Sequence, residues 1–453
     1  MSTFALASRN VRKSYRDYAV YFLTIVIGVA MFYVFNSLDS SAAMLQLSKN
    51  EEAMLMGVNK IMSYLSVFIS MILAFLILYA NAFLIRRRKK ELGIYMLLGM
   101  KKQEISRILI CETAIVGTVS LAVGLALGIL LSQGLALLTA KLFKVGITGF
   151  ALVFSAPAMQ KSILYFGITF VLVMLFNTGN LGRQNLVDLI YADKNASAFR
   201  TQRTGLSALL FVASMVLIGS GYAVILKNGI FHSGRPLLIA IALGSMGTFL
   251  FFYSFSGLFL KLVRKMQNVY FAGLNIFTLG QLGSQFNTEH ISMSFVCLMM
   301  FLAISAISAG SAVVGSISNT YANESGTVAG VTYVSLYIGI VFILASASVL
   351  AISQLSRSVD NRSRYELLSK LGAGYDMLSD SLLKQISFYF ALPLVLAIIH
   401  SIVAIIVVSK VVYMIGEVNI FASSMITVVI IAAIYGGYFL MTYLSARRVL
   451  TQK

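Results

Sequence analysis

The sequence has no tryptophan, two cysteines, three prolines and three histidines in 453 residues. Cys111 and Cys297 both fall in or at the edge of apolar segments, so they make neither a disulfide framework nor a zinc spacing. His232, His290 and His400 are scattered, and there is no HExxH, GxSxG or Cys/His cluster. That removes the common hydrolytic and metal-dependent sites, and no cofactor is expected. GxxxxGK[ST] is missing as well, so this chain has no usual loop for cradling nucleotide phosphates. Charge is scarce too: 11% of residues are charged, where a soluble domain carries about 25%. On a soluble protein a net charge of +19 would suggest nucleic acid. With 59% hydrophobic residues, the composition instead reads as an integral membrane protein with no nucleic-acid partner.

What the sequence does have is long apolar runs. A helix needs about 20 apolar residues to cross the hydrocarbon core. Ten stretches qualify: 18–36, 61–85, 108–138, 162–179, 205–226, 236–260, 290–314, 331–355, 385–412 and 421–445. The fold class is therefore all-α and polytopic. Lys and Arg set the orientation. With the N-terminus inside, the outer segments hold only Lys49, Lys60, Lys141, Lys144, Lys161, Lys227, Arg235 and Lys410, and the inner segments hold every other cation. Both termini are then cytoplasmic. Residues 1–17 show no short apolar core before a small-residue cleavage site, and read as a retained cytoplasmic segment.

The segments between spans complete the organisation. Residues 18–138 carry the first two spans, a short inner helix at 90–99 and the third span, and 139–179 form an outer loop and span four. Residues 180–204 are a cytoplasmic stretch with Leu186, Leu189 and Ile190 on one helical face. Residues 205–314 hold spans five to seven. Residues 315–330 form a short external loop, and the polar stretch 316–330 suits a tight turn. Residues 331–445 hold the last three spans and a second inner segment at 363–372, and 446–453 are a cytoplasmic tail.

The inner stretch 86–105 (RRRKKELGIYMLLGMKKQEI) opens with five cations. Arg86, Arg87 and Arg88 read as anchors on anionic lipid, worth about 1 kcal/mol per cation. Leu92, Tyr95 and Met96 then share one helical face, while Ile94, Leu97 and Leu98 cover much of the rest. Gly99 is a helix stop, followed by Lys101 and Lys102. Such a helix is either interfacial with no partner or a docking helix for a cytoplasmic protein. The pattern recurs at 359–378: setting Gly99 against Gly372 also aligns Ile105 with Leu378 and Leu109 with Leu382. Spans two to four and eight to ten are thus expected to be a parallel repeat.

Residues 86–117 (RRRKKELGIYMLLGMKKQEISRILICETAIVG) resemble the signature of FtsX-like permeases, the membrane subunits of type VII ABC transporters. SRNVRKSYRDYAVYF (8–22), NLVDLIYADKNA (185–196) and the second signature at 357–378 make the chain similar to the BceB-type branch, linked to antimicrobial-peptide sensing and resistance. The resemblance implies FtsX-like repeats, residence in a bacterial cell membrane and a separate cytoplasmic ABC ATPase, in two copies, contacting the coupling helix. It places ATPase coupling on Glu91, Leu92, Tyr95 and Met96, and on Tyr365, Glu366 and Leu368. It also implies a large extracellular domain between spans seven and eight, where this sequence has only 316–330, and a membrane histidine kinase as a further partner.

Three function classes follow. The first is a non-catalytic permease subunit driven by a partner ATPase, acting on a peptide antibiotic or lipid-carrier complex. The second is a sensor scaffold for a two-component kinase. The third is an ion-coupled secondary transporter, which usually needs carboxylates near mid-membrane. Only Glu112 enters a span, about one turn into the third, where the helix dipole tolerates an anion. It reads either as a structural anion bonded within the bundle or as a relay of motion from the coupling helix. His400, mid-span, reads as an interhelical hydrogen bond. Gly124 and Gly128 in the third span form a close-contact pair, expected to hold spans two and three together. Pro393 either kinks span nine or marks its start.

Overall fold

The computed structural model describes residues 3–13, 15–37, 49–143, 154–183, 204–229, 234–320, 325–414 and 420–451. Among these residues every regular element is a helix. In chain order they are α1 (Thr3–Lys13), α2 (Tyr15–Asn36), α3 (Lys49–Arg87), α4 (Lys89–Leu97), α5 (Lys102–Phe143), α6 (Ala156–Arg183), α7 (Thr204–Asn228), α8 (Gly234–Lys265), α9 (Gln267–Tyr270), α10 (Asn275–Thr320), α11 (Ser325–Asp360), α12 (Arg362–Lys370), α13 (Tyr375–Val412) and α14 (Ile420–Thr451). Helices are what an apolar chain must form in lipid, where each backbone N–H and C=O needs a partner within its own segment.

Each of the ten predicted spans falls on one long helix, in order. Among the described residues nine helices are long and apolar enough to cross a membrane, and Tyr21–Asn36 within α2 is a shorter apolar stretch. The helices outrun the apolar cores at several ends. α10 runs to Thr320 and α11 starts at Ser325, so most of the expected turn at 316–330 is helical. Small polar side chains there do not forbid helix, and no proline interrupts it. α13 passes through Pro393 well inside its length, so the proline does not mark the start of the span. The amphipathic helix expected at 180–204, with the signature at 185–196, lies almost wholly outside the described residues.

The chain divides into two units, described separately. The first comprises residues 1–198 with 321–337, and the second 199–320 with 338–453. In the first, α2 lies along α5. A Cβ at Gly124 would sit 2.7 Å from Val29 Cβ, and one at Gly128 would sit 3.0 Å from Tyr33 Cβ and 3.1 Å from the Ala30 carbonyl oxygen. The glycine pair therefore seats span one, not span two as its sequence suggested. A ridge of small residues marks a close-approach face without naming the helix that fills it. α1 packs on the opening turns of α5, and α6 packs on α5, α2 and α3.

In the second unit α10 lies along α13, with α14 against both, and α7 and α8 form a tightly packed pair. The expected repeat is visible in the helix boundaries for its first two spans, while the helices of spans four and ten, Ala156–Arg183 and Ile420–Thr451, are offset from each other. With Gly99 set on Gly372, α4 aligns end to end with α12, both nine residues long, and the starts of α5 and α13 coincide. The same register extends the repeat by one span. α10 is bent at Glu289, which leaves helical geometry at φ −119°, ψ 18°, close to where the break between α1 and α2 falls. Ala397 and Ser401 occupy the positions of Gly124 and Gly128. Both are buried, and Ser401 Oγ approaches the Phe301 carbonyl oxygen of α10 at 3.4 Å.

Candidate functional site

α4 is a short helix with firm ends. Gly99 has φ +89°, the left-handed conformation that favours glycine. Its N–H donates to the Met96 carbonyl, and the Met100 N–H reaches back to the Tyr95 carbonyl, both at 3.1 Å. These two bonds make a Schellman turn. α12 ends the same way: Gly372 has φ +97°, its N–H donates to Ser369 and the Ala373 N–H to Leu368, both at 3.0 Å.

One side of α4 faces its own unit. Leu92 is fully buried with Ile85, Ile105 and Leu109, and Tyr95, Met96 and Met100 pack against that cluster. The other side is open: Ile94, Leu97 and Leu98 are exposed, Leu98 by 76%. Residues i and i+4 share a helix face, so Ile94 and Leu98 form one outward apolar pair.

The root of α4 is ionic. Arg88, just before the helix, is 4% exposed, and Glu112 on α5 is 2% exposed. The guanidinium grips both Glu112 oxygens, Nη1 to Oε2 and Nη2 to Oε1, the latter at 3.1 Å. It also donates Nε to Glu91 Oε2 at 2.8 Å and Nη2 to Glu91 Oε1 at 3.1 Å. Asn10 on α1 donates to Glu112 Oε1 at 2.9 Å. Tyr95 donates to Glu91 Oε1 at 2.8 Å. Partial burial, and then the Glu91 carboxylate, raise the Tyr95 phenol above its ordinary value, so it stays a donor. One planar cation thus joins the short helix to α5, and Asn10 adds α1. Bidentate charge-assisted bonds of this kind are strong and orientation-specific.

This corrects the reading of Arg88 as a lipid-facing anchor; the side chains of Arg86 and Arg87 lie outside those described. A carboxylate one turn inside a span needs a cation nearby, and Arg88 begins the helix that leads to it. That requirement is the sequence signal for the pair. Glu112 is where a bonded structural anion was expected. Asn10 was missed, and nothing in the local pattern of α1 marks it.

In the second unit Tyr365 takes the position of Leu92 and Gln385 that of Glu112. Tyr365 is buried, raised by burial above its ordinary pKa, and accepts a hydrogen bond from Gln385 Nε2 at 2.9 Å. Its ring meets Phe277 edge-on at 5.2 Å between centroids. Ser381 and Thr278 hydroxyls pair at 2.7 Å. The root of α12 is therefore neutral where that of α4 is charged. Glu366 is exposed and pairs with Arg362 at 3.0 Å, Leu368 is half-buried, and Leu367 and Leu371 are exposed, Leu371 by 84%. These two leucines align with Ile94 and Leu98.

Of the residues expected to couple to a partner, Leu92 and Tyr365 point into their own units and leave no surface to touch. Tyr95, Met96 and Glu91 are half-buried against the root. Periodicity finds the faces of a helix that is apolar all round but does not say which one turns inward. A second missed group is Glu289, at the bend of α10. Arg357 Nε donates to Glu289 Oε1 at 2.9 Å, and the Ser353 and Tyr389 hydroxyls donate to Glu289 Oε2. His400 bonds between helices as expected, with Nδ1 to the Tyr222 hydroxyl and Nε2 to Thr248 Oγ1, the latter at 2.9 Å. Among the described residues no group of His, Cys, Asp and Glu is placed to hold a metal.

Comparison with known proteins places this geometry. The family profile described as FtsX-like permease C-terminal matches residues 63–178, the stretch that contains α4 and its ionic root. The bacitracin export permease protein BceB of Bacillus subtilis is 27% identical over 68% of this chain and 48% of its own length. The protein of the same name from Halalkalibacterium halodurans is 29% identical over 67% of this chain and 47% of its own. An uncharacterized ABC transporter permease of B. subtilis, YvcS, is 27% identical over 61% and 42%. The chain spans about half the length of the curated relatives it matches. It is an integral membrane protein that carries an FtsX-like permease domain and is homologous to the BceB permeases.

Proposed function

We propose that this chain is the permease subunit of an ABC transporter, and that α4 and α12 dock on two copies of a cytoplasmic ATPase and carry its motion into the spans. One observation carries the reading. Ile94 and Leu98 in one unit and Leu367 and Leu371 in the other occupy aligned positions, face outward, and precede matching Schellman turns. A surface helix whose only apolar side lies on its own bundle or on lipid needs no second one. Here the inward side of each helix is filled, by Leu92 or Tyr365, and a further apolar pair looks away from it.

The contact then rests on Ile94, Leu97 and Leu98, with Glu91 at the edge, and on Leu367, Leu371 and Glu366. Leu92, Tyr95, Met96, Tyr365 and Leu368 hold the helices in place behind that contact. Glu112, through Arg88, relays movement of α4 into α5. ATP hydrolysis is assigned to the partner, because this sequence has no phosphate-binding loop. The names of the relatives suggest bacitracin or a similar peptide antibiotic, free or on its lipid carrier, as cargo in a bacterial cell membrane. A membrane histidine kinase as a third partner rests on the family resemblance alone.

Co-purification tests the reading. Leu98→Asp and Leu371→Asp are each expected to remove one ATPase copy per permease, and the double variant both. Undiminished ATPase binding and ATP turnover in the double variant would overturn the docking assignment.

A further inference from the structure

Beneath α4 the first unit holds a small cavity whose wall is mostly apolar, with Leu84, Ile85 and Leu109 among its lining, and which several polar side chains also border. Tyr21 of α2, Asn81 of α3, Arg88, Glu112 and Thr113 of α5, and Asn177 of α6 line it. Room for the centre of a water extends over about 10 Å³, the scale of a single molecule. Arg88 and Glu112 hold each other. Asn81 donates to Asn177 Oδ1, and Asn177 donates to Thr113 Oγ1 at 3.2 Å. Tyr21 differs: it is 2% exposed and its hydroxyl has no hydrogen-bond partner among the described residues. A hydroxyl shut away from solvent without a hydrogen bond is costly, and Tyr21 lines a space of the size of one water together with Glu112 and Thr113.

We propose that the cavity is a specific binding site for one water molecule. The water accepts the Tyr21 proton and donates its two hydrogens to oxygens of Glu112 and Thr113, the latter already bonded to Asn177. It connects the carboxylate that anchors α4 to the Asn81–Asn177 pair that joins α3 to α6. Bonds to a bridging water are nearly as good as direct ones, and they re-form readily when helices shift. The joint under α4 can therefore move without stripping its buried charges. The second unit has Gln385 and Ile386 at the positions of Glu112 and Thr113, so the site belongs to the first unit.

The sign of one substitution tests this. Tyr21→Phe changes the hydroxyl and little else. In the purified full chain, a bound water makes the variant lose a hydrogen bond and melt at a lower temperature than the parent. A dry cavity makes the variant lose only an unpaired polar group and melt at the same or a higher temperature, which would overturn the proposal. Thr113→Val supplies the second arm. If the water bridges the two hydroxyls, the double variant falls by less than the two single drops combined, and additive drops would overturn the bridge. A map of the chain that resolves ordered water is expected to carry a peak about 2.8 Å from Tyr21 Oη, and a cavity without one refutes the site.

Discussion

Replacing Glu112 with glutamine probes the root of α4 at its strongest point. The carboxylate is 2% exposed and accepts from Arg88 Nη1, Arg88 Nη2 and Asn10 Nδ2. An amide of the same shape keeps one acceptor oxygen and turns an NH₂ donor toward a donor. Removing one partner of a buried ion pair costs about 3–5 kcal/mol. Arg88 still has Glu91, whose side chain is 35% exposed, so the lower end of that range applies, about 3 kcal/mol. For a cooperative unit of 150–250 residues each kcal/mol moves Tm by about 2–4 °C, so the melt should fall by about 6–12 °C. The chain has no tryptophan, so far-UV circular dichroism is the suitable readout. The paired change Arg88→Met with Glu112→Leu should recover most of the loss, because the cost lies in the orphaned cation rather than in the missing attraction. A melt unmoved by Glu112→Gln, or a paired variant less stable than the single one, would refute a shared buried fork.

Two further outcomes follow from the backbone. Gly99→Ala and Gly372→Ala should each cost about 1–2 kcal/mol from the left-handed conformation alone, because an added Cβ meets nothing within 4 Å at either site; equal melting shifts for the two variants check this. Gly124→Ala should cost about 1–3 kcal/mol by driving α2 from α5 at Val29, and Gly134→Ala, with nothing near its Cβ, should be close to neutral in the same assay.

Much of this architecture is written locally. The ten apolar runs give the long helices, and the Gly99–Gly372 register gives two short helices of equal length with the same closing turn. What depends on distant residues is less legible. Arg88 belongs to a run of cations that reads as a lipid anchor, and only the burial of Glu112 singles it out. Gly124 and Gly128 declare a close contact, but whether α2 or α3 supplies it is settled by packing. Leu92 and Ile94 look alike as letters, and the fold turns one inward and the other out. Glu289 sits at a boundary in hydropathy, yet it lies within a long helix and collects three side-chain partners.

The register also fixes a parity. If each long helix crosses the bilayer once, α4 and α12 are separated by six crossings, made by α5, α6, α7, α8, α10 and α11, and α7 and α8 contribute a pair to that count. An even number returns the polypeptide to the compartment it left, so both nine-residue helices can answer to one soluble motor. On the proposed docking, additional helices between the repeats are tolerable only two at a time, since a lone insertion would place the second short helix in the compartment opposite the first.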